Sequence, residues 1–223
     1  MKAKLSLFAK TSIIPAILLS VVGCNDAVTA TTQNDTSESI TESKNYGNLV
    51  EGIDFIKLSK PIEGVSYNDI TELFWYGCGH CLNVEMHLVD TIAEQSKLNG
   101  WSFNKVHYPS ERNTWAFDFN IYAALEQLDV GKEVGRDYML SVQKQGLDRF
   151  NEEEMTDFFS KYYLDYELVK EKMNSAERDE IWAHAMKFKV PEVEGTPTFI
   201  VGGRYIVKIS PKMVGSIKQL ISN

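Results

Sequence analysis

The sequence lacks any concentration of basic residues. Its 31 aspartate and glutamate residues outnumber its 23 lysine and arginine residues, which leaves a formal net charge of -8 at pH 7. A nucleic acid attracts a basic surface through its phosphate backbone. The acidic balance therefore argues against a nucleic-acid-binding protein, and no nucleic-acid partner is expected. No internal repeat is present either, and the 223 residues allow one domain of ordinary size with an inserted subdomain.

Cysteine is scarce, with three residues in the chain. Cys78 and Cys81 have a spacing that suits a redox pair, a permanent disulfide or half of a zinc site. A closed zinc site needs two more ligands near by, and the sequence holds no second cysteine pair. Three scattered histidines are interpreted as ordinary surface or partly buried side chains: His87, His107 and His184. We therefore expect no metal and no cofactor.

The N-terminal segment has the layout of an export signal. Three lysines, Lys2, Lys4 and Lys10, precede the apolar run 13–22, which is too short to span a bilayer stably. Residues 1–23 are therefore predicted to be a signal peptide. Export would place Cys78 and Cys81 in an oxidising compartment, where disulfide chemistry is productive.

Cys24 follows the small and aliphatic residues Val-Val-Gly, which resemble the lipobox of bacterial lipoproteins. That resemblance implies an acylated Cys24 at the mature N-terminus, and acylation leaves an even pair of cysteines. Ordinary signal cleavage near Ala27 or Ala30 is the alternative. Residues 24–45 are rich in Thr, Ser, Asn and Asp, and we predict that they form a flexible, lipid-anchored tether.

The strongest chemical signal is the segment 74–81, FWYGCGHC, in which an apolar strand runs into a Cys-x-x-Cys motif at the expected start of a helix. Unpaired backbone N–H groups at a helix start favour a thiolate at Cys78, and cysteines in such motifs have lower pKa values than a free thiol. His80 can add a positive charge or a hydrogen bond that favours the same form. Cys81, one turn into the helix, is placed to resolve a mixed disulfide at Cys78.

Hydrophobic periodicity predicts an α/β fold. Strands are predicted at five positions: 52–58, 70–76, 101–107, 198–201 and 205–209, the last two joined by the two-residue hairpin signal Gly202-Gly203. Helices are predicted from Cys81 to a stop at Asn99-Gly100, throughout 110–189, and after Pro211. A right-handed crossover would make the second and third strands parallel. The aromatic residues of the helical stretch are interpreted as core: Trp115, Phe119, Tyr122, Phe158, Phe159 and Trp182.

This arrangement resembles the thioredoxin fold with a helical insertion, as in the DsbA family of periplasmic thiol:disulfide oxidoreductases. The likeness extends from about residue 50 to the C-terminus and rests on the motifs CGHC at 78–81 and GTPTF at 195–199. It implies a central mixed β-sheet, with residues 46–109 and 190–223 as the two parts of the thioredoxin fold and 110–189 as the helical insertion. It also implies a cis peptide bond at Pro197 against the cysteine pair, with Thr196 offering backbone groups to an extended substrate chain.

Two further positions match this family in character. Glu72 stands where these oxidoreductases carry a buried acid under the disulfide, and Lys105 stands where they carry its basic partner. The resemblance implies that Glu72 relays a proton to or from Cys81. The alternative is a purely structural ion pair between Glu72 and Lys105. Gly79 departs from the pattern, because strongly oxidising members usually carry proline there and Cys-Gly-His-Cys is the motif of protein disulfide isomerases.

The resemblance implies an enzyme that introduces disulfides into exported proteins. A reductase or isomerase that uses the same site is the first alternative, and a thioredoxin-like chaperone or binding module with a merely structural disulfide is the second. The expected partners are exported proteins with cysteine thiols and a quinone-linked membrane protein of the DsbB type. The expected location is the periplasm, with an anchor to a membrane through Cys24. A monomer is favoured, because the chain has no long dimerisation domain of the isomerase type.

Overall fold

The computed structural model describes residues 46–222. The predicted signal peptide, the predicted tether and Cys24 all lie outside the described residues. None of the helices within 46–222 combines the length and the apolar character that a membrane crossing requires.

The apolar runs of the sequence form one five-stranded mixed sheet. Its strands are β1 (Phe55–Lys57), β2 (Asp69–Phe74), β3 (Ser102–His107), β4 (Thr198–Val201) and β5 (Tyr205–Val207). Their order across the sheet is β1-β5-β4-β2-β3. β2 and β3 are parallel, as the crossover predicts, and the other neighbouring pairs are antiparallel. The prediction of a mixed sheet with helices is confirmed.

The helices fall before, between and after these strands as the periodicity predicts. They are α1 (Gly79–His87), α2 (Val89–Leu98), α3 (Asn113–Gln127), α4 (Gly131–Leu140), α5 (Glu152–Ser160), α6 (Tyr166–Met173), α7 (Ala176–Met186) and α8 (Met213–Ile221), with a π-helical turn at Ser141–Gln145. Asn151, Asp165 and Ser175 cap α5, α6 and α7, because each side chain accepts hydrogen bonds from backbone N–H groups of the first turn. Helices α3 to α7 lie within the predicted insertion 110–189, and the division of the chain into domains stays a prediction.

Alternation along the strands divides the core between the two faces of the sheet. Ile200 and Ile206 pack in one cluster with the apolar side chains of α3 to α6. Phe199 and Val207 pack in a second cluster with α8. Successive strand residues point to opposite faces, so the two clusters lie on opposite sides of the sheet. β2 is buried along almost its whole length and carries the chain to the cysteine motif at the edge between the helical insertion and the sheet.

Three predicted elements differ from the structure. The strand predicted at 52–58 is only three residues long, because Gly52 adopts a φ of 85° and its N–H bonds the carbonyl of Phe55 in a turn. The single helix predicted after Cys81 is broken at Leu88, whose φ of -126° is not helical. The hairpin between β4 and β5 has three loop residues rather than two, closed by a 3.1 Å bond from the Arg204 N–H to the carbonyl of Val201.

Candidate active site

Cys78 is the residue that caps the first turn of α1. Its backbone is extended, and its Sγ accepts a hydrogen bond from the backbone N–H of Cys81 at 3.2 Å. Cys78 is half-buried, Cys81 is fully buried, and both are free thiols. The structure therefore brings together the two predicted redox cysteines in the dithiol state, with Cys78 on the accessible side.

The two thiols have opposite acidities. The pKa of Cys78 is lowered to about 6, first by a hydrogen bond with the Cys81 side chain and then by the Thr196 side chain and the backbone N–H groups of Cys81 and His80. The pKa of Cys81 is raised, chiefly because burial disfavours its charged form. His80 acts on Cys78 through its backbone N–H, and its side chain is exposed. At neutral pH, Cys78 is the thiolate and Cys81 is the thiol.

The loop before β4 lies directly against Cys78. The Thr196-Pro197 peptide bond is cis, which is the conformation that the resemblance implies. The Sγ of Cys78 is 3.4 Å from the carbonyl oxygen of Thr196. The loop is held by Thr198, whose hydroxyl donates to the carbonyl of Gly195 at 2.6 Å. Thr196 and Pro197 therefore lie where a chain attached at Cys78 would pass.

Glu72 is a buried acid without a hydrogen-bond partner. Its side chain is 0% exposed, and neither carboxylate oxygen is bonded within the described residues. Burial raises its pKa to about 7, and Lys105, whose Nζ is 3.8 Å away, opposes that rise. The predicted ion pair is present, but it is long and leaves Glu72 able to take up a proton near neutral pH.

Glu85 is the nearer partner of Lys105, and the sequence analysis missed it. Lys105 donates a hydrogen bond to Glu85, and the guanidinium Nε of Arg136 donates to the same carboxylate at 2.7 Å. Arg136 also bonds both carboxylate oxygens of Asp90 at 3.1 Å. Lys105 itself is partly buried in β3. Its charge is therefore shared, because a second acid from α1 competes with Glu72 for it.

Two polar side chains of the helical insertion reach the cysteine loop, and both were missed. Gln143, in the π-helical turn, donates its amide hydrogens to the carbonyls of Tyr76 at 2.6 Å and Cys78 at 3.1 Å. Asp118, in α3, accepts a 2.7 Å hydrogen bond from the indole N–H of Trp75. Both contacts join residues that lie far apart in the sequence, so no local motif signals them.

Two expectations about ring side chains need correction. His107 is fully buried rather than at the surface or partly buried, because it lies in β3 among the rings of Phe74, Tyr76 and Phe119. That burial lowers its pKa to about 3. Trp115 is only half-buried and lines a pocket beside Cys78 instead of joining the core fully.

The chain is similar in sequence and in fold to known proteins. No family model matches the chain. The thiol:disulfide interchange protein DsbA of Pseudomonas aeruginosa is 27% identical over 158 residues, which are 69% of this chain and 73% of that protein. A crystal structure of Pseudomonas aeruginosa DsbA is 26% identical with a TM-score of 0.57, and the match covers 73% of this chain and 82% of that chain. The chain is a thioredoxin-like homologue of the DsbA thiol:disulfide interchange proteins.

The likeness to DsbA extends to a structure with a bound ligand. A Proteus mirabilis DsbA with a non-covalently bound peptide has a TM-score of 0.65 at 19% identity, covering 79% of this chain and all (100%) of that chain. At that identity the match shows the shared fold alone. The thioredoxin-like fold with inserted helices is therefore that of DsbA.

Proposed function

We propose that this DsbA homologue donates a disulfide between Cys78 and Cys81 to cysteine pairs of exported proteins. The observation that carries the proposal is the placement of the two thiols: the half-buried Cys78 caps α1 and its Sγ accepts the backbone N–H of Cys81 at 3.2 Å, whereas Cys81 is fully buried. This placement lowers the pKa of Cys78 to about 6 and raises the pKa of Cys81. A stabilised thiolate favours the reduced form of the pair, so the disulfide is given away more readily. The same thiolate is the better leaving group when the mixed disulfide is resolved.

The exchange has two steps. A substrate thiolate attacks the Sγ of Cys78, the bond between Cys78 and Cys81 breaks, and Cys81 leaves and takes up a proton. A second substrate thiolate then attacks the substrate sulfur of the mixed disulfide and releases the Cys78 thiolate. The substrate loses two electrons and its two thiol protons, and the enzyme pair gains two electrons.

Glu72 is the proposed proton donor to Cys81. Its carboxyl is buried, has no hydrogen-bond partner in the part of the chain that the structure describes, and has a pKa raised to about 7, which is close to the working pH. Lys105 supports this role because its charge keeps the pKa from rising further. A proton-donor role would explain why a buried carboxylate lacks hydrogen-bond partners among the described residues.

Thr196 and Pro197 are the proposed platform for the substrate chain. Their position against Cys78 supports this role, because a chain joined to Cys78 would lie next to them. Oxidised enzyme would be regenerated by a quinone-linked membrane partner of the DsbB type. The periplasm remains the proposed location.

The anchor at Cys24 is tested by Cys24→Ala in cells. Membrane fractionation should find the wild-type chain in the membrane fraction and the variant in the soluble fraction. Equal distribution of both would reject acylation without affecting the proposed chemistry.

The function is tested by mixing the oxidised full chain with a reduced, unfolded protein that has several thiols and counting the thiols that remain. We expect loss of two substrate thiols per enzyme, and no loss with Cys78→Ser or with Cys81→Ser, because neither variant can form the disulfide that the substrate thiolate attacks. A double variant with both Cys78→Ser and Cys81→Ser should be inactive. If it kept the full activity of the protein, catalysis would be rejected in favour of a binding module. A mostly reduced cysteine pair in the exporting cell would favour a reductase or isomerase.

A further inference from the structure

A pocket of about 520 Å³ opens beside Cys78. Its lining includes the aromatic rings of Trp75, Trp115 and Tyr108 together with Cys78 and Thr196, and it also includes three charged side chains: Arg112, Lys189 and Glu194. Clefts of about 300–1,000 Å³ are the usual size for small-ligand sites. Because the pocket shares Cys78 and Thr196 with the path of the substrate chain, any chain joined to Cys78 passes its mouth.

Trp75 and Trp115 together form one side of the pocket, which we call the aromatic wall. The rings of Trp75 and Trp115 stack with centroids 4.1 Å apart and an interplanar angle of 14°. Tyr108 approaches Trp115 edge-on at 6.2 Å. Both tryptophans are half-buried, so part of each ring faces solvent. Such a surface favours a further aromatic ring over a polar or small side chain.

Asp118 is hydrogen-bonded to Trp75 of this wall. Its side chain is 0% exposed, and its carboxylate accepts hydrogen bonds from the Trp75 indole N–H at 2.7 Å and the Tyr138 hydroxyl at 3.0 Å. Arg149 forms an ion pair and a hydrogen bond with the same carboxylate. Three donors therefore fix this carboxylate, and one of them, the Trp75 indole, lines the pocket.

The wall is also tied to the reactive loop. The carbonyl of Trp75 accepts a 3.0 Å hydrogen bond from the backbone N–H of Cys78. The indole of Trp75 lies so close to Gly77 that any Cβ atom there would overlap the ring. Trp75 is therefore held at both ends, by Gly77 and Cys78 through the loop and by Asp118 through its indole nitrogen.

We propose that Asp118 is a positioning residue that sets the Trp75 and Trp115 wall as a binding site for an aromatic side chain next to the reacting cysteine of the substrate. The inference rests on the proposed function and adds a substrate preference to it. An extended chain attached at Cys78 and lying along Thr196 brings a neighbouring side chain to the pocket, and the stacked rings select a flat apolar one.

The test compares two reduced peptides, each with two cysteines, that differ only in carrying Phe or Ala beside the first cysteine. With the full chain kept oxidised by glutathione disulfide, we expect a KM for the Phe peptide about tenfold lower than for the Ala peptide, which corresponds to about 1.4 kcal/mol and lies within the range that aromatic contacts contribute. The kcat should be the same for both peptides. Equal KM values for the two peptides would overturn the proposal.

Three variants separate positioning from general stability. Trp115→Ala should remove the preference for Phe, and Asp118→Asn and Trp75→Phe should each reduce it, because a carboxamide cannot accept from all three donors and phenylalanine has no N–H. The double variant of Asp118→Asn and Trp75→Phe should lose no more preference than either single one, since both break the same contact. Asp157→Asn, which removes a charge from the exposed face of α5, is the matched control and should keep the full preference.

The outcomes distinguish the two proposals. If neither peptide is oxidised, the proposed function fails. If both are oxidised with equal KM, or if Asp118→Asn keeps the full tenfold preference while near-ultraviolet circular dichroism shows a native fold, only the role of Asp118 and the wall fails. A preference for Phe that is unchanged in Trp115→Ala would place the aromatic site elsewhere and would overturn the inference.

Discussion

Two fully buried carboxylates, Glu72 and Asp118, lie in or against the segment that leads into the cysteine motif, and their hydrogen bonding differs. Asp118 is bonded by three donors, whereas neither oxygen of Glu72 has a hydrogen-bond partner within the described residues. Burial is the largest cause that raises both pKa values, to about 6 for Asp118 and about 7 for Glu72. Burial alone therefore does not distinguish their roles. Hydrogen bonding does, because a fully bonded acid fixes its neighbours and an unbonded acid is free to exchange a proton.

The largest expected effect comes from removing the bonded acid. Asp118→Leu should lower the free energy of unfolding by about 3–5 kcal/mol, because it leaves the Arg149 charge, the Trp75 N–H and the Tyr138 hydroxyl without their acceptor. Urea unfolding at pH 7 measures this. Asp157→Leu, at an exposed position, is the control and should change stability by less than about 0.5 kcal/mol. A loss below about 1 kcal/mol at Asp118 would show that its contacts do not hold the fold together.

Glu72→Gln should raise the free energy of unfolding at neutral and higher pH, whereas Asp118→Leu lowers it. The folded pKa of about 7 exceeds the ordinary value of 4.5, so ionised Glu72 is disfavoured in the fold and stability falls as pH rises from about 4.5 to about 7. Above that range the variant should be more stable than the wild type by up to about 3 kcal/mol, and at pH 4 the difference should vanish. Urea unfolding of both disulfide forms across this range measures it. A variant that is less stable at pH 8 would mean that the carboxylate has a partner after all.

The acidity of Cys78 should respond to Glu72 by a smaller amount. In the reduced wild-type protein, the ultraviolet absorbance of the thiolate should titrate with a pKa of about 6. Glu72→Gln should lower that pKa further, because the negative charges of Glu72 and Cys78 raise each other's pKa. Asp157→Asn should leave the titration unchanged. A rise in the pKa of Cys78 in Glu72→Gln would contradict the proposed coupling.

The smallest effect is expected at Glu85. Glu85→Gln removes the negative charge that raises the pKa of Glu72 and releases Lys105 to approach Glu72 more closely. The fall of stability should still begin near pH 4.5, but it should end at a lower pH and be smaller than in the wild type, because the folded pKa of Glu72 is lowered. Arg136 keeps its two hydrogen bonds to Asp90, so the link between α4 and α2 should survive. An unchanged pH profile would show that Glu85 does not compete for Lys105.

What the sequence predicts correctly here is local or strongly patterned. The Cys78 and Cys81 pair and the parallel pairing of β2 and β3 each follow from residues close together or from strand periodicity. Glu72 could be identified because it lies in the strand that leads directly to the motif. These features depend on chain direction and spacing, which the sequence states explicitly.

What the sequence does not predict depends on contacts across the fold. Asp118 and Gln143 look like ordinary helical polar residues, and only the packing of α3 and the π-helical turn against residues 75–78 gives them partners. Trp115 is interpreted as a core residue because aromatic residues in helices usually are buried. Its partial exposure follows from its place at the start of α3, beside the cysteine loop.

The central claim is that the cysteine pair gives its disulfide away, and the most direct measurement is its redox equilibrium with glutathione, followed by the fluorescence of Trp75 beside Cys78. The pKa of about 6 at Cys78 predicts an oxidising potential between about -180 mV, as in protein disulfide isomerase, and about -120 mV, as in DsbA. A potential near about -270 mV, as in thioredoxin, would mean that the disulfide is too stable to donate, and the protein would be a reductase.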